Sequence, residues 1–183
     1  MLKKIDIIDI ALRAYSDVLF LDSDILLLDR LPTVDKSKDI GLSPHLMKLD
    51  LEQKYGRFNG GFIWVNHPEF TKWWLETSQI NGEYFEQKCL EKAVDKFKTM
   101  EFTALDNFGW WRCLYADDSA ARIQKFQINH DGYLVYDNQR LRSIHTHFFN
   151  PNLAEMATFS QIIIKQLQKT TNPIYDKIKT LIF

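Results

Sequence analysis

The spacing of apolar residues predicts a helix followed by a buried strand at the start of the chain. Residues 3–15 carry apolar side chains at helical spacing with charged residues between them, which predicts an amphipathic helix. The short continuous apolar run at 18–21 is typical of a strand buried on both faces of a parallel sheet. A second apolar run at 25–28 follows the polar triplet Asp22-Ser23-Asp24. The helical positions are Ile5, Ile8, Leu12 and Tyr15.

The middle of the chain predicts strands separated by turns, followed by a helix. Asn59-Gly60-Gly61 opens an apolar run, and the turn-forming residues Asn66-His67-Pro68 end it. Pro68 also suits the first position of a helix, and the residues after it carry an aromatic face. The expected elements are a loop at 33–39, strands at 40–43 and 62–65, and a helix at 69–80.

The C-terminal half predicts the same mixture of helices and short strands. The expected elements are a helix at 84–97, strands at 123–128, 133–136 and 141–144, and an amphipathic helix at 153–167. In the first of these helices, Phe85, Cys89, Leu90, Ala93 and Val94 are expected to face inward. Because no repeat or low-complexity linker interrupts the pattern, we expect residues 1–183 to form a single α/β domain.

Composition narrows the class of protein. The 183 residues suffice for one substantial core, and the net charge of -1 comes from 23 basic and 24 acidic residues spread along the chain. No basic stripe suggests nucleic acid as a partner. The first residues lack a signal-peptide pattern and no apolar stretch is long enough to span a bilayer, so we expect a cytoplasmic protein. Cys89 and Cys113 are then expected to be reduced, buried thiols.

Asp22-Ser23-Asp24 is the segment that points most directly to chemistry. Paired carboxylates at the carboxyl end of a buried parallel strand lie where open α/β sheets bind ligands. Such charges are costly unless a cation joins them, and a divalent ion with oxygen ligands is the usual solution. That ion can bridge the phosphates of a nucleotide-sugar and neutralise the leaving diphosphate. The alternative interpretation is a helix cap or a solvated turn.

Three further segments carry groups that suit a sugar or a metal ion. In Asn59-Gly60-Gly61, glycines before a strand allow close backbone approach with exposed N–H groups, and Asn59 offers a donor and an acceptor; a plain turn is the alternative. The side chains of Glu86-Gln87 can form hydrogen bonds with the hydroxyl groups of a sugar; the alternative is that they lie on a solvated helix surface. His145 and His147, at alternate positions after a strand, suit a manganese-like or zinc-like ion. The remaining histidines, His45, His67 and His130, are interpreted as structural.

The order of these segments resembles that of glycosyltransferases with the A-type, nucleotide-diphospho-sugar transferase fold, especially the glycogenin and galactosyltransferase-like group. The run Asp17 to Ile25 looks like the DxD segment of that family. Phe58-Asn59-Gly60-Gly61-Phe62 is similar to its N-G-G-F strand, and Glu86-Gln87 lies where the family carries an Asp-Gln pair. His145 stands where a late histidine completes the family's metal site. The resemblance covers roughly residues 3–149.

The resemblance implies that the protein transfers a sugar from a nucleoside diphosphate to an acceptor hydroxyl. The expected nucleoside diphosphate is uridine diphosphate (UDP). It implies a mixed sheet flanked by helices and a bound Mn²⁺ or Mg²⁺. The expected metal ligands are Asp22, Asp24 and His145, with His147 beside them. The expected donor-binding residues are Asp22, Ser23, Asn59, Gly60 and Gly61. Glu86 and Gln87 are the expected catalytic contacts to the reacting sugars.

The sequence departs from the family in three respects. The family's N-terminal βαβ unit, which holds the nucleotide base, does not precede residues 3–15, so we expect an N-terminally truncated fold with a partner chain as one source of the missing part. Glu86 replaces the usual Asp, which moves the carboxylate outward by one methylene. The residues after His145 lack the family's lysine pattern, which leaves the lysine that grips the diphosphate unassigned.

Two other functions fit parts of the same pattern. A haloacid-dehalogenase-type phosphatase also has an apolar strand followed by D-x-D. Asp117-Asp118 could then correspond to the metal-binding acids that come later in the sequence of that class. In that class the motif follows the first strand and precedes Thr or Val, whereas here a helix comes first and Ile25 follows. The second alternative is a non-catalytic transferase-like domain that acts as a partner subunit, because a fold does not guarantee a function.

Overall fold

A computed structural model of the chain describes residues 3–81, 86–146 and 154–182 and shows a mixed α/β protein, as expected. Within these residues it contains helices, two 3₁₀ helices and short strands. In chain order the elements are α1 (Lys3–Leu12), β1 (Val18–Leu21), β2 (Ile25–Leu27), β3 (Ile40–Pro44), α2 (Leu49–Tyr55), β4 (Phe58–Val65), α3 (Phe70–Asn81), a 3₁₀ helix (Lys88–Asp95), β5 (Thr99–Glu101), β6 (Phe108–Gly109), α4 (Trp111–Leu114), α5 (Ser119–Ile123), β7 (Phe126–Ile128), β8 (Leu134–Tyr136), β9 (Gln139–Arg140), β10 (Ser143–His145), α6 (Ala154–Lys169), a 3₁₀ helix (Pro173–Tyr175) and α7 (Asp176–Ile182).

The chain divides into two compact units. The first comprises the chain up to Asp22 together with Thr33–Ala104, and the second comprises Ser23–Pro32 together with the chain from Leu105 onward. The boundary therefore falls inside the Asp22-Ser23-Asp24 segment. The expectation of a single domain over residues 1–183 concerns the relation between the units and stays a prediction.

The first unit is built on a four-stranded mixed sheet with the strand order β1-β4-β3-β5. β4 is antiparallel to both of its neighbours, β1 and β3, whereas β5 is parallel to β3. All eight residues of β4 are buried, so this strand forms the centre of the unit. It is longer than predicted, because Asn59, Gly60 and Gly61 lie inside it rather than before it.

The prediction that β1 is a parallel strand buried on both faces is wrong. β1 lies at the end of the strand order, pairs antiparallel with β4, and its four residues are only partly buried. The bounds were predicted correctly, because a continuous apolar run marks a strand with two apolar faces. Such a run carries no information about the direction of the strand that pairs with it.

Helices α1 and α3 pack together in the first unit, and their apolar side chains join its core. Ile5 and Ile8 of α1 are buried, whereas α1 ends at Leu12 and the predicted helical residue Tyr15 is 69% exposed. On α3, Phe70 and Trp74 are fully buried, as the predicted aromatic face requires.

The helix predicted at 84–97 is a 3₁₀ helix over Lys88–Asp95, while residues 84 and 85 lie outside the described residues. With three residues per turn, side chains three apart lie above one another, so Leu90 and Ala93 share the buried face. Val94 falls off that face and is 42% exposed, which corrects the prediction that it points inward.

The second unit contains two small sheets, β2-β10-β6 and β7-β8-β9. β10 pairs antiparallel with β2 and parallel with β6, whereas the other sheet is an antiparallel meander. Helix α6 packs on β7, where the rings of Phe126 and Phe159 meet edge to face with centroids 5.7 Å apart. Helix α5 occupies residues 119–123, so its last residue overlaps the first residue of the strand predicted at 123–128.

Two further expectations from the sequence can be compared with the structure. In the part of the chain that the structure describes, no helix has both the length and the apolar character needed to cross a membrane. Cys89 and Cys113 are buried free thiols, as expected. Burial raises the pKa of Cys89 to about 11 and that of Cys113 to about 12, so both thiols stay protonated at neutral pH.

The hydrogen bond between Trp64 and Asp17 predicts that the stability of the fold depends on pH in the acid range. Trp64 Nε1 donates to Asp17 Oδ2 at 2.9 Å, and this bond, with the ammonium of Lys36, holds the pKa of Asp17 below its ordinary value of 3.8. The ionised carboxylate therefore stabilises the fold above the unfolded-state pKa, and the contribution is lost as the pH falls through the folded-state pKa. We expect Asp17→Asn to lower the free energy of unfolding by about 1 kcal/mol at pH 7 and by less at pH 3.

Urea denaturation at the two pH values measures this difference. Lys36→Gln is the control, because Lys36 is 69% exposed and its ion pair with Asp17 is expected to contribute less than about 0.5 kcal/mol. An Asp17→Asn effect that is equally large at pH 3 and pH 7 would contradict the prediction.

Candidate functional site

The antiparallel pairing of β1 with β4 places Asp22 opposite Gly61. The register pairs Leu21 with Phe62, and one step further the N–H of Asp22 donates to the carbonyl of Gly61 at 2.8 Å. The Asp22 carboxylate packs directly over Gly61, since a Cβ atom at that position would overlap Asp22 Oδ2. Gly60 is less crowded, because a Cβ atom there would meet Gln87 at an ordinary 3.6 Å. The second glycine is therefore required by the neighbouring carboxylate.

Side chains already occupy the N–H groups of the two glycines, so the prediction that these groups are exposed is wrong. Gly61 N–H donates to Asn59 Oδ1 at 3.1 Å, and Gly60 N–H donates to Gln87 Oε1 at 2.9 Å. Gln87 Nε2 in turn donates to the carbonyl of Tyr55 at 2.9 Å. Both ends of the Gln87 amide thus fix backbone, which makes this side chain a support for β4.

His45, which directly follows β3, supports Asn59 and so has a structural role, as the sequence predicted. His45 is buried, and its Nδ1 lies 2.7 Å from the carbonyl of Gly56, which requires a proton on Nδ1. Nε2 can then accept from Asn59 Nδ2 at 3.4 Å. Because His45 stands in no motif, its contact with Asn59 could not be predicted from the sequence.

Glu86 is buried, so the interpretation of this residue as solvated helix surface is wrong. It lies in a turn before the 3₁₀ helix and is 5% exposed. Its carbonyl accepts from Trp74 Nε1 at 2.6 Å and from Cys89 Sγ at 3.0 Å, which fixes the backbone of the turn. The backbone position of Glu86 is therefore fixed by residues on both sides of it in the chain, and its side chain is buried in the first unit.

The ammonium group of Lys4 contacts the carboxylates of both Asp22 and Glu86 in the first unit. Lys4 Nζ lies 2.9 Å from Glu86 Oε1 and 3.6 Å from Asp22 Oδ1, and it donates to the carbonyl of Gly60 at 3.3 Å. One ammonium group thus contacts three of the segments that the sequence singled out. Lys4 itself belongs to no motif, and only the position of α1 in the fold reveals it.

The second unit brings Asp24 and His145 together. β2 pairs antiparallel with β10 so that Ile25 lies opposite His145, and Thr146 N–H donates to the carbonyl of Asp24 at 3.1 Å. Across this pair, His145 Nε2 lies 2.9 Å from Asp24 Oδ1. His145 is 4% exposed, and the ring of Trp111 meets its imidazole edge to face at 5.1 Å.

Gly109 makes room for that aromatic contact. It pairs with His145 in the parallel β6–β10 ladder, and a Cβ atom at Gly109 would overlap the ring of Trp111. The absence of a side chain at Gly109 therefore lets Trp111 approach the imidazole and restrict its orientation.

The donor atoms present suit a divalent cation. Carboxylate oxygen and imidazole nitrogen are ligand types that manganese-like ions accept. Asp24 Oδ1 and His145 Nε2 face each other, and an ion would take the place of the proton that the hydrogen bond between them requires. Asp22, Asp24 and His145 can each offer one ligand atom.

Two of the predicted site residues remain to be placed. Ser23 lies on an exposed turn between the two aspartates. His147, predicted as a further metal ligand, lies outside the described residues. Within the described part of the chain, the predicted residues therefore form two groups: one around Lys4 in the first unit, and the Asp24–His145 pair in the second.

The unequal space beside the two glycines predicts unequal effects of substitution. We expect Gly61→Ala to lower the free energy of unfolding by about 1–3 kcal/mol, because the methyl group must displace the Asp22 carboxylate. Gly60→Ala is the matched control and should stay within about 0.5 kcal/mol of the wild type, since its methyl group makes only ordinary contacts. Urea denaturation measures both, and equal effects of the two substitutions would contradict the packing of Asp22 over Gly61.

Comparison with known proteins leaves the function to be argued from these residues. No family model matches the chain, and it has no match among curated proteins or among solved structures. The resemblance to glycosyltransferases that the order of the motifs suggests therefore stays a prediction.

Proposed function

We propose that this protein is a metal-dependent glycosyltransferase that moves a sugar from a nucleoside diphosphate sugar, of the UDP class, to an acceptor hydroxyl. The observation that carries the proposal is the contact between Asp24 Oδ1 and His145 Nε2 at 2.9 Å. These residues lie far apart in the sequence, and the resemblance assigns both to one metal ion. A pairing expected from motif order and then found in the fold supports the assignment.

Asp22, Asp24 and His145 are the proposed ligands of Mn²⁺ or Mg²⁺. When bound, such an ion neutralises the negative charge that develops on the leaving diphosphate. His145 is suited to this role because Trp111 restricts its ring, and a ligand held in one orientation loses little freedom on binding an ion. The mixed sheets flanked by helices are compatible with the A-type fold, which remains part of the proposal.

Glu86 is the proposed contact to a sugar hydroxyl. Its carboxylate is buried beside the glycine pair of β4, where a neutral hydroxyl can donate a hydrogen bond without adding charge. Asn59 and Gln87 hold the strand in place through the N–H groups of Gly61 and Gly60. We propose that Gln87 acts by positioning Gly60, while its expected contact to the reacting sugars stays a prediction.

A non-catalytic transferase-like domain is the second candidate. The observation in its favour is that Lys4 pairs with both Asp22 and Glu86, so these carboxylates have a cationic partner without any bound metal. A protein that has lost catalysis can keep such an internal pair as a structural contact. The two candidates differ in whether the chain binds a nucleotide in the presence of a divalent ion.

Isothermal titration of UDP into the protein distinguishes these candidates. For the transferase we expect binding in the presence of Mn²⁺ that is abolished by EDTA, with a rise in melting temperature when both ligands are present. The same titration with Mg²⁺ compares the two ions. No binding under any of these conditions, together with an unchanged melting temperature, would contradict a transferase that works through this chain alone.

Asp24→Ala tests the metal site directly. We expect Mn²⁺-dependent UDP binding to weaken at least roughly tenfold, because the ion loses a ligand. The fold should be largely retained, since clustered acidic groups without their ion add little stability. The control is Asp118→Ala in the same unit, whose carboxylate pairs with Arg122 at 2.7 Å.

The Asp118→Ala control also tests the phosphatase alternative. A haloacid-dehalogenase-type enzyme would lose Mg²⁺-dependent phosphatase activity when this acid is removed, whereas the proposed transferase should show no such activity in the wild type or in either variant. Loss of stability in Asp24→Ala with unchanged UDP binding would assign Asp24 a structural role.

A further inference from the structure

The ammonium group of Lys4 is held in place by groups on several elements of the first unit. Besides its contacts to Asp22, Glu86 and Gly60, it lies 5.8 Å from the centre of the Phe20 ring. The side chain of Lys4 is only 19% exposed. Because the next residues on the inner face of α1, Ile5 and Ile8, are buried in the core, the helix that carries Lys4 is anchored where it stands.

Glu86 shows that this charge arrangement is incomplete. Its Oε1 accepts from Lys4, while its Oε2 is fully buried and has no hydrogen-bond partner within residues 3–81, 86–146 and 154–182. Lys4 is thus shared between two carboxylates, and it contacts Glu86 more closely than Asp22. A buried carboxylate oxygen without a donor is costly, which indicates that the group is built to take a further positive or hydrogen-donating ligand.

We infer that Lys4 is a built-in counter-cation that sets the affinity of Asp22 and its surroundings for divalent cations. The inference rests on the proposed function, because it takes Asp22 as a metal ligand. Lys4 lowers the affinity of the site by repelling the incoming ion, while Glu86 raises it by attracting that ion and by drawing Lys4 away from Asp22. Lys4 thus acts on the metal without binding it, by its charge and by its contact with the proposed ligand Asp22.

The charges near Asp22 give a distinctive prediction for a set of three variants. Counting Asp22, Lys4 and Glu86, the wild type carries -1, Lys4→Met carries -2, Glu86→Gln carries 0, and the double variant carries -1 again. We expect Lys4→Met to bind Mn²⁺ roughly tenfold more tightly than the wild type and Glu86→Gln to bind it roughly tenfold more weakly. The double variant should return close to the wild-type affinity, and all differences should shrink at high salt.

Titration calorimetry with Mn²⁺ alone measures the four affinities, and circular dichroism confirms that each variant is folded. The double variant also removes the buried, unpaired carboxylate that Lys4→Met leaves behind, so a folding defect of the single variant does not prevent the test. The control is Lys36→Met, which removes a lysine that pairs with Asp17 elsewhere in the same unit and should leave Mn²⁺ affinity unchanged.

The outcomes separate this inference from the proposed function. If the wild type binds Mn²⁺ and Lys4→Met binds it with equal or lower affinity, the inference alone is overturned. The same holds if the double variant binds Mn²⁺ more weakly than both single variants. Binding by Lys4→Met but not by the wild type supports the inference and contradicts a metal-dependent wild-type enzyme. No Mn²⁺ binding by any of the four proteins overturns both.

Discussion

The antiparallel pairing of β1 with β4 is the constraint on which the first unit's candidate site depends. It sets Asp22 opposite Gly61, and it does so through the register of the strands rather than through any contact of the side chains. A shift of one residue would turn the carboxylate to the other face of the sheet and place a different residue beneath it. Asn59, Gln87 and Lys4 then act on a strand whose alignment with Asp22 is already fixed.

The second unit fixes Asp24 by the same kind of interaction. The antiparallel β2–β10 pair sets Ile25 opposite His145, and the side chains of Asp24 and His145 meet at the end of this ladder. The two aspartates of one short segment are thus each aligned by a separate backbone ladder. Each of these two carboxylates therefore has a backbone position set within its own unit, whereas the residue between them, Ser23, is exposed.

The sequence identified most of the residues of these groups but not how they meet. Asp24 and His145, which the resemblance places at one metal site, lie in contact, and the strand at Val18–Leu21 was predicted because its apolar run is continuous. The direction of β1 was wrong, since pairing direction depends on residues distant in the chain. Lys4 was missed and the partner of His45, Asn59, was not predicted, because a residue that acts through tertiary contacts has no local pattern. The burial of Glu86 was not predicted, because this residue lies in a turn before the 3₁₀ helix rather than in the expected α-helix.

The buried ion pair of Lys4 and Glu86 raises the question of why these charges are kept inside the first unit. Burying an ion pair costs desolvation of both charges, and apolar residues of similar size often stabilise a core at least as well. Stability alone therefore gives little reason for a lysine and a glutamate at this place, beside a second carboxylate and an oxygen without a donor among the described residues. The cost is better explained if the charges meet a ligand during function. In that case the same contacts that weaken the fold prepare the site, because they hold two carboxylates close together before any cation arrives.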